Sequence, residues 1–204
     1  MTTKKKSSNK WLTVAIEAAI VVAAVLLGIV LRVGVYETAI VTSGSMENTL
    51  QVSDRMLIDH RASLHGQWQR GDIVLFNDPQ SWQEAAGGAP GGAPASAAPA
   101  EEGDELVKRV IGLPGETVDI YNNQVYINSK ALSEPYTKEA MVDNENRRFT
   151  LSSGQYFVMG DNRNNSDDSR FHGPIEDNDI IGRAVRLVGP WGRFGVLPLP
   201  DYSN

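Results

Sequence analysis

Leu12 to Leu31 is apolar apart from Thr13 and Glu17, a run of about twenty residues, which as a helix matches the hydrocarbon thickness of a bilayer. No polar face runs along it, so the pattern predicts a transmembrane helix rather than a core helix. Glu17 falls in the second turn, close enough to the headgroups to reach water or Lys10. Lys4, Lys5, Lys6 and Lys10 precede the span and only Arg32 closely follows it, which places the N-terminus in the cytoplasm and the rest outside. A cleavable secretory signal has a shorter apolar middle of about 7–15 residues, and no small-x-small site closes this one before Tyr36 and Glu37.

After the span the period changes. Arg55–Ile58, Asp72–Phe76, Leu106–Ile111, Thr117–Tyr121, Gln124–Ile127, Gln155–Met159 and Ile180–Leu187 are short β-branched or aromatic runs, punctuated by Gly, Pro, Asn and Asp. These predict a mostly β chain: one N-terminal helix followed by an all-β domain. Asn122-Asn123 separates two of the runs, and asparagine tolerates positive φ, so Val118–Tyr121 is expected to pair with Val125–Asn128 in a tight hairpin. The expected organisation is a basic tail (1–10), an anchor (11–35) and an extracytoplasmic domain (36–204), with a flexible Ala/Gly/Pro-rich loop at 84–103 and a polar excursion at 129–148.

Composition narrows the function. The chain has 204 residues, enough for one anchor and one globular domain. A net charge of −6, with the basic residues beyond the N-terminal cluster scattered, argues against nucleic acid. With no cysteine, thiol catalysis, disulfides and thiolate metal sites are excluded.

Three clusters carry possible chemistry. Ser43-Gly44-Ser45-Met46 lies just beyond the apolar span. It offers one hydroxyl as nucleophile and another as donor to a developing oxyanion, or else it is a plain flexible loop. Lys108 shares a strand face with Leu106 and Val110 under the period-two rule, and apolar neighbours there favour the neutral amine. Taken alone, Lys108 and Arg109 read equally as solvated charges. Gly160 to Gly173 is dense in turn-formers and looks superficially like a calcium loop. The ligand spacing fails, because Arg163 sits where an acid is wanted and no glutamate closes the loop. Arg70-Gly71-Asp72 reads as a turn beside a strand rather than as an adhesion motif.

Together the clusters resemble the bacterial type I signal peptidases, membrane-anchored Ser/Lys endopeptidases of peptidase family S26. The family's Ser-x-Ser-Met-x-Pro-Thr-Leu motif is matched by Ser43 to Leu50. Further blocks are matched by Ser53–Ile58, Arg70–Phe76, Lys108–Glu116, and Gly160-Asp161-Asn162 through Ser166, Asp168, Ser169 and Arg170. The resemblance implies Ser45 as nucleophile, Lys108 as general base, and Ser43 with the Ser45 amide as oxyanion hole. It also implies Ser166 as the hydroxyl orienting Lys108, and Asp168 with Arg170 as a supporting ion pair. The implied activity is removal of signal peptides from exported precursors at the outer face of the cytoplasmic membrane, after small residues, with neither metal nor organic cofactor. Asn48 stands where the family has proline, which removes a stiffening residue but no reacting group.

A serine protease built on His60, His65 or His172 lacks any Gly-x-Ser-x-Gly context. An anchored β-domain that only binds exported chains is disfavoured by the presence of both Ser45 and Lys108. The expected partners are precursor proteins and membrane lipid, the latter met by Ile40, Val41 and Met46 with Trp191 and Phe194. The oligomeric state is not legible.

Overall fold

The computed structural model describes residues 10–33, 35–63, 66, 68–82, 105–143, 145–197, 199–200 and 202. The expected flexible loop at 84–103 lies outside them. The chain divides into two compact units, Met1–Tyr36 and Glu37–Asn204.

The first unit is built on helix α1 (Lys10–Val33), 24 residues long, or about 36 Å at 1.5 Å per residue. Val14, Ile16, Ile20, Val21, Val22, Val25 and Leu26 are exposed on it. Among the described residues no helix is long and apolar enough to cross a membrane; within α1, the side chains of residues 10, 12, 27 and 29–33 are outside the description.

The second unit is mostly β. Its strands are β1 (Tyr36–Ile40), β2 (Arg55–Asp59), β3 (Ile73–Asn77), β4 (Glu105–Gly112), β5 (Thr117–Tyr121), β6 (Gln124–Ile127), β7 (Lys130–Ala131), β8 (Arg147–Thr150), β9 (Gln155–Met159), β10 (Ile175–Glu176), β11 (Ile180–Gly189) and β12 (Gly195–Val196). An eight-stranded sheet runs β1-β2-β11-β3-β4-β9-β10, with β12 on β11, and a four-stranded sheet runs β7-β6-β5-β8. One helical turn, α2 (Ser169–His172), is started by Asp168, whose side chain accepts from the Arg170 amide.

The large sheet is covered on both faces, which explains why β3 reads as a continuous apolar run. Ile73 and Leu75 join a core with Met46, Leu50, Met56, Ile58 and Leu187. Val74 and Phe76 join another with Trp68, Trp82, Val110, Tyr156, Val158 and Ile175. A third core packs Val118, Ile120, Val125 and Ile127 of the small sheet with Ile111, Phe157 and Met159. The hairpin forms at the expected place but one residue away from the expected pairing, with Val118 opposite Ile127, Ile120 opposite Val125 and Tyr121 opposite Gln124, because Asn122 and Asn123 make a two-residue turn at φ 51° and 62°.

Two expectations are corrected. The segment 129–148 is more than a polar excursion, because it supplies β7 and the start of β8 and buries Tyr136 and Met141 in the third core. Val41 and Met46, expected at a lipid-facing rim, are buried at 5% and 1% exposure, since both pack into the first core beneath the turn that carries Ser45. Ile40, Trp191 and Phe194 are exposed.

The hairpin supplies a local test of the backbone argument. Asn122→Gly is expected to leave stability within about 0.5 kcal/mol, whereas Asn122→Val is expected to lose roughly 1–2 kcal/mol, because a β-branched residue strains at positive φ. Urea unfolding of the two variants checks the difference.

Candidate active site

Ser45 lies in a tight 3-10 turn, Gly44–Met46, whose Met46 is driven into the core. Burying that neighbour fixes the turn, and Ser43 precedes it in extended conformation with no side-chain bond capping the turn. Its hydroxyl instead stands 3.2 Å from the Ser45 hydroxyl.

Lys108 is central in β4, opposite Val74 in the register, with Leu106 opposite Phe76. Its strand-face neighbours Leu106 and Val110 both belong with the second core. Lys108 is only 4% exposed and Ser45 7%, and the lysine Nζ lies 2.9 Å from Ser45 Oγ. Burial pushes the amine's pKa below its ordinary 10.5, against the opposing pull of Asp168 and Asp167 and with some help from the Arg170 charge. The arrangement therefore joins a hydroxyl to an amine that gives up its proton more readily than an exposed lysine does. Such an amine can accept the hydroxyl proton.

The loop after β9 holds the turn from the other side. Asn162 donates through its amide N–H to the Ser45 carbonyl at 2.9 Å and through Nδ2 to the Gly44 carbonyl at 3.0 Å. A Cβ on Gly160 would lie 2.3 Å from Ser166 Oγ and 2.5 Å from the Ser45 carbonyl oxygen. Only glycine lets the two loops approach this closely.

Asp168 organises this loop. It accepts from the Gly160 amide at 3.0 Å, from Ser166 Oγ at 2.8 Å, and from Arg170 Nε and Nη2 at 2.8 and 3.0 Å. Burial works to raise the Asp168 pKa, but the Arg170 charge and these hydrogen bonds outweigh it and hold the carboxyl below its usual range. The fully buried Asp168 is thus an anion held by donors from Gly160, Ser166 and Arg170. Ser43, Ser45, Lys108, Ser166, Asp168 and Arg170 are all brought to one region, although Ser166 donates to Asp168 while the Lys108 amine donates to Ser45.

Several supporting residues were not legible as such. Arg109, read as a solvated charge beside Lys108, is 1% exposed and grips Asp161 with Nε and Nη2 at 2.8 and 2.6 Å. Asp161 also accepts from Thr49 of the loop that follows Ser45. An arginine inside an apolar strand, together with an acid just beyond another, was the available signal. Asn48 departs further from proline than a loss of stiffness: its φ is 91°, which proline, fixed near −65°, cannot adopt. Its Nδ2 donates to the Tyr136 carbonyl at 3.2 Å.

The rival readings find other structural explanations. His60 meets Glu37 and the Ile181 carbonyl, and His172 meets Asp167; His65 lies outside the described residues. The acids that resembled calcium ligands, Asp161 and Asp168, are paired with Arg109 and Arg170. In Arg70-Gly71-Asp72 the glycine turns at φ 94° and Asp72 is buried against Arg183.

Because the added methyl would strike backbone oxygen as well as a side chain, Gly160→Ala is expected to separate the Ser45 and Asp168 loops and cost about 1–3 kcal/mol of stability. Denaturant unfolding measures the loss, and a crystal structure of the variant would show the Ser45 carbonyl displaced.

Comparisons with known proteins identify the family of the chain. The family described as "Signal peptidase, peptidase S26" matches residues 12–189. Signal peptidase I U of Bacillus subtilis (strain 168) is 35% identical over 203 residues, covering 95% of each chain. Probable signal peptidase I-2 of Synechocystis sp. is 36% identical over 200 residues, covering 96% of this chain and 83% of its own. A crystal structure of a signal peptidase I from Enterococcus faecalis V583 is 32% identical, with a TM-score of 0.41, and covers 58% of this chain and 97% of that one. This chain belongs to the signal peptidase family, peptidase S26, and is a serine peptidase, a hydrolase of signal-peptide processing.

Proposed function

We propose that the chain is a type I signal peptidase in which Ser45 is the nucleophile and Lys108 its general base. The carrying observation is the 2.9 Å contact between a buried amine and a buried hydroxyl. Neutral Lys108 takes the Ser45 proton as Oγ attacks the scissile carbonyl. The developing oxyanion is met by the Ser45 amide and the Ser43 hydroxyl. Collapse of the tetrahedral adduct breaks the C–N bond, and the protonated lysine returns its proton to the leaving amine. Water, deprotonated by the same lysine, then cleaves the acyl-serine ester.

Asp168 with Arg170 holds the loop that carries Ser166 beside this pair, and the residue set makes no demand for a metal or cofactor. The substrates are signal-peptide-bearing precursors, cut after small residues at the first and third positions before the bond, as the family resemblance implies.

The membrane assignment is part of the same proposal. Residues 11–35 form the anchor, 1–10 a cytoplasmic tail and 36–204 a catalytic domain on the outer face. Supporting this are the 24-residue helix α1 with its exposed apolar side chains and the excess of lysine before it. Trp191 and Phe194, exposed with ring centroids 5.2 Å apart, offer an aromatic edge for the lipid interface.

The chemical test is direct. Ser45→Ala and Lys108→Ala are each expected to abolish cleavage of a precursor while leaving the unfolding transition in place, and the double variant is expected to be no worse than either. Lys108→Arg also fails, since a guanidinium stays protonated. Activity requires the neutral lysine, so kcat/KM rises as pH rises through a pKa below 10.5 and falls off on the acid side. Near-normal turnover of either single variant, or a rise only at the ordinary lysine value, would overturn the dyad.

A second measurement addresses the membrane. The chain lacking residues 1–35 is expected to bind lipid vesicles and to gain turnover from them, and Trp191→Ala is expected to weaken both effects. Equal activity with and without vesicles would remove the lipid-facing assignment and leave the dyad untouched.

A further inference from the structure

The segment 134–142 joins β7 to the approach of β8, far in sequence from Ser45, and it touches each loop that builds the site. Against the nucleophile turn, the Tyr136 carbonyl accepts from Asn48 Nδ2 at 3.2 Å and Lys138 Nζ meets Glu47 at 2.7 Å. Against the base strand, the Tyr136 ring lies 4.2 Å beneath the guanidinium of Arg109, the residue next to Lys108. Against the Asp168 loop, Glu134 takes Arg163 in two bonds of 2.6 and 2.7 Å, and the Lys138 amide donates to the Asp161 carbonyl at 3.0 Å. Asn164 is bonded on both sides, to the Ala140 carbonyl at 3.0 Å and from the Val142 amide at 2.8 Å. Tyr136 sits at the centre, buried, with its hydroxyl donating to Glu134 and accepting from Tyr202.

A nucleophile and its base carried on separate loops and strands must be held by something rigid. In a turn containing proline, a fixed φ supplies part of that rigidity. In this chain the same position is a left-handed asparagine. The Asn48 side chain adds a long-range bond to those the turn makes with its own backbone, and that bond runs to the Tyr136 carbonyl. We propose that Tyr136 and Asn48 are positioning residues that fix Ser45 relative to Lys108, so that this segment sets kcat without contributing to substrate affinity. The inference rests on the Ser45/Lys108 reading above.

The test uses the full-length enzyme in detergent or lipid and a precursor substrate. Asn48→Gly keeps the positive φ and deletes only the side-chain bond, and Tyr136→Leu keeps bulk and deletes the ring under Arg109. Each is expected to lower kcat about tenfold or more, since misplacing a reacting group by about an ångström can cost up to a hundredfold. KM is expected to stay within about twofold, because uniform binding is untouched. The pKa read from kcat/KM is expected to hold as well, because Lys108 remains as buried as before. Tyr136→Phe, which retains the ring, is expected to recover most of the parent's kcat.

A purely structural role predicts something different: lost activity in step with lost folded protein, and parental kcat per folded molecule. That result for Asn48→Gly overturns the proposal, and so does a rise in KM at constant kcat. If Tyr136→Leu fails to fold, Asn48→Gly decides alone. The parent enzyme separates the two levels of inference: retained turnover in Ser45→Ala would remove the dyad itself, whereas a dyad-dependent parent with a fully active Asn48→Gly would remove only the positioning role.

Discussion

If Lys108 is the base proposed above, keeping its amine out of water is the constraint on which the rest of the site depends. A lysine in solvent is protonated at neutral pH and has no lone pair to take a proton. Burial shifts Lys108 the other way and lowers its pKa, because β4 is interior to a sheet with apolar packing on both faces, flanked by β3 and β9. An edge strand or a one-sided sheet would leave the amine wet. The fold class is thus tied to the chemistry at a particular place: the middle of a doubly covered sheet is where an amine loses its hydration.

Dryness has a consequence for every other polar group nearby. A carboxylate beside a buried amine favours the protonated lysine, and Asp168 and Asp167 both pull in that direction. Arg170 limits the damage, since it engages Asp168 through two side-chain nitrogens and a backbone amide. Arg109 with Asp161 and Arg163 with Glu134 repeat the device around the site. Buried ion pairs of this kind contribute little net stability, because desolvation offsets most of the attraction. Their value here is geometric: bidentate contacts fix loops whose backbone has few ladder bonds.

The parts of the fold legible in the sequence were those decided locally. β3, β4 and β9 are apolar or β-branched enough to declare themselves, and two adjacent asparagines fix the β5–β6 register because the left-handed turn admits few other residues. β1, Tyr36–Ile40, and β8, Arg147–Thr150, are half exposed, so their patterns are too weak to read and only pairing with neighbours makes them strands. The proposed reacting groups, Ser45 and Lys108, stand in ordered motifs that resemble a known family, whereas the burial of Arg109 was not legible. In a single sequence a buried arginine and a solvated one look alike until its partner, here Asp161 some fifty residues on, is placed beside it.

Asn48 shows how motif and geometry can part company. By motif, the residue is an absence, a proline that is not there. By geometry it is a different solution, because φ of 91° excludes proline altogether and the amide side chain reaches the Tyr136 carbonyl across 88 positions of sequence. Stiffness supplied by a ring is local and independent of the rest of the fold. Stiffness supplied by a long-range hydrogen bond exists only when the distant segment is in place, so what Asn48 adds to the turn's own backbone bonds and to the burial of Met46 depends on the segment carrying Tyr136. Ser45, the proposed nucleophile, is in that sense braced by residues of the small sheet's connection, which bonds to the loop that follows it.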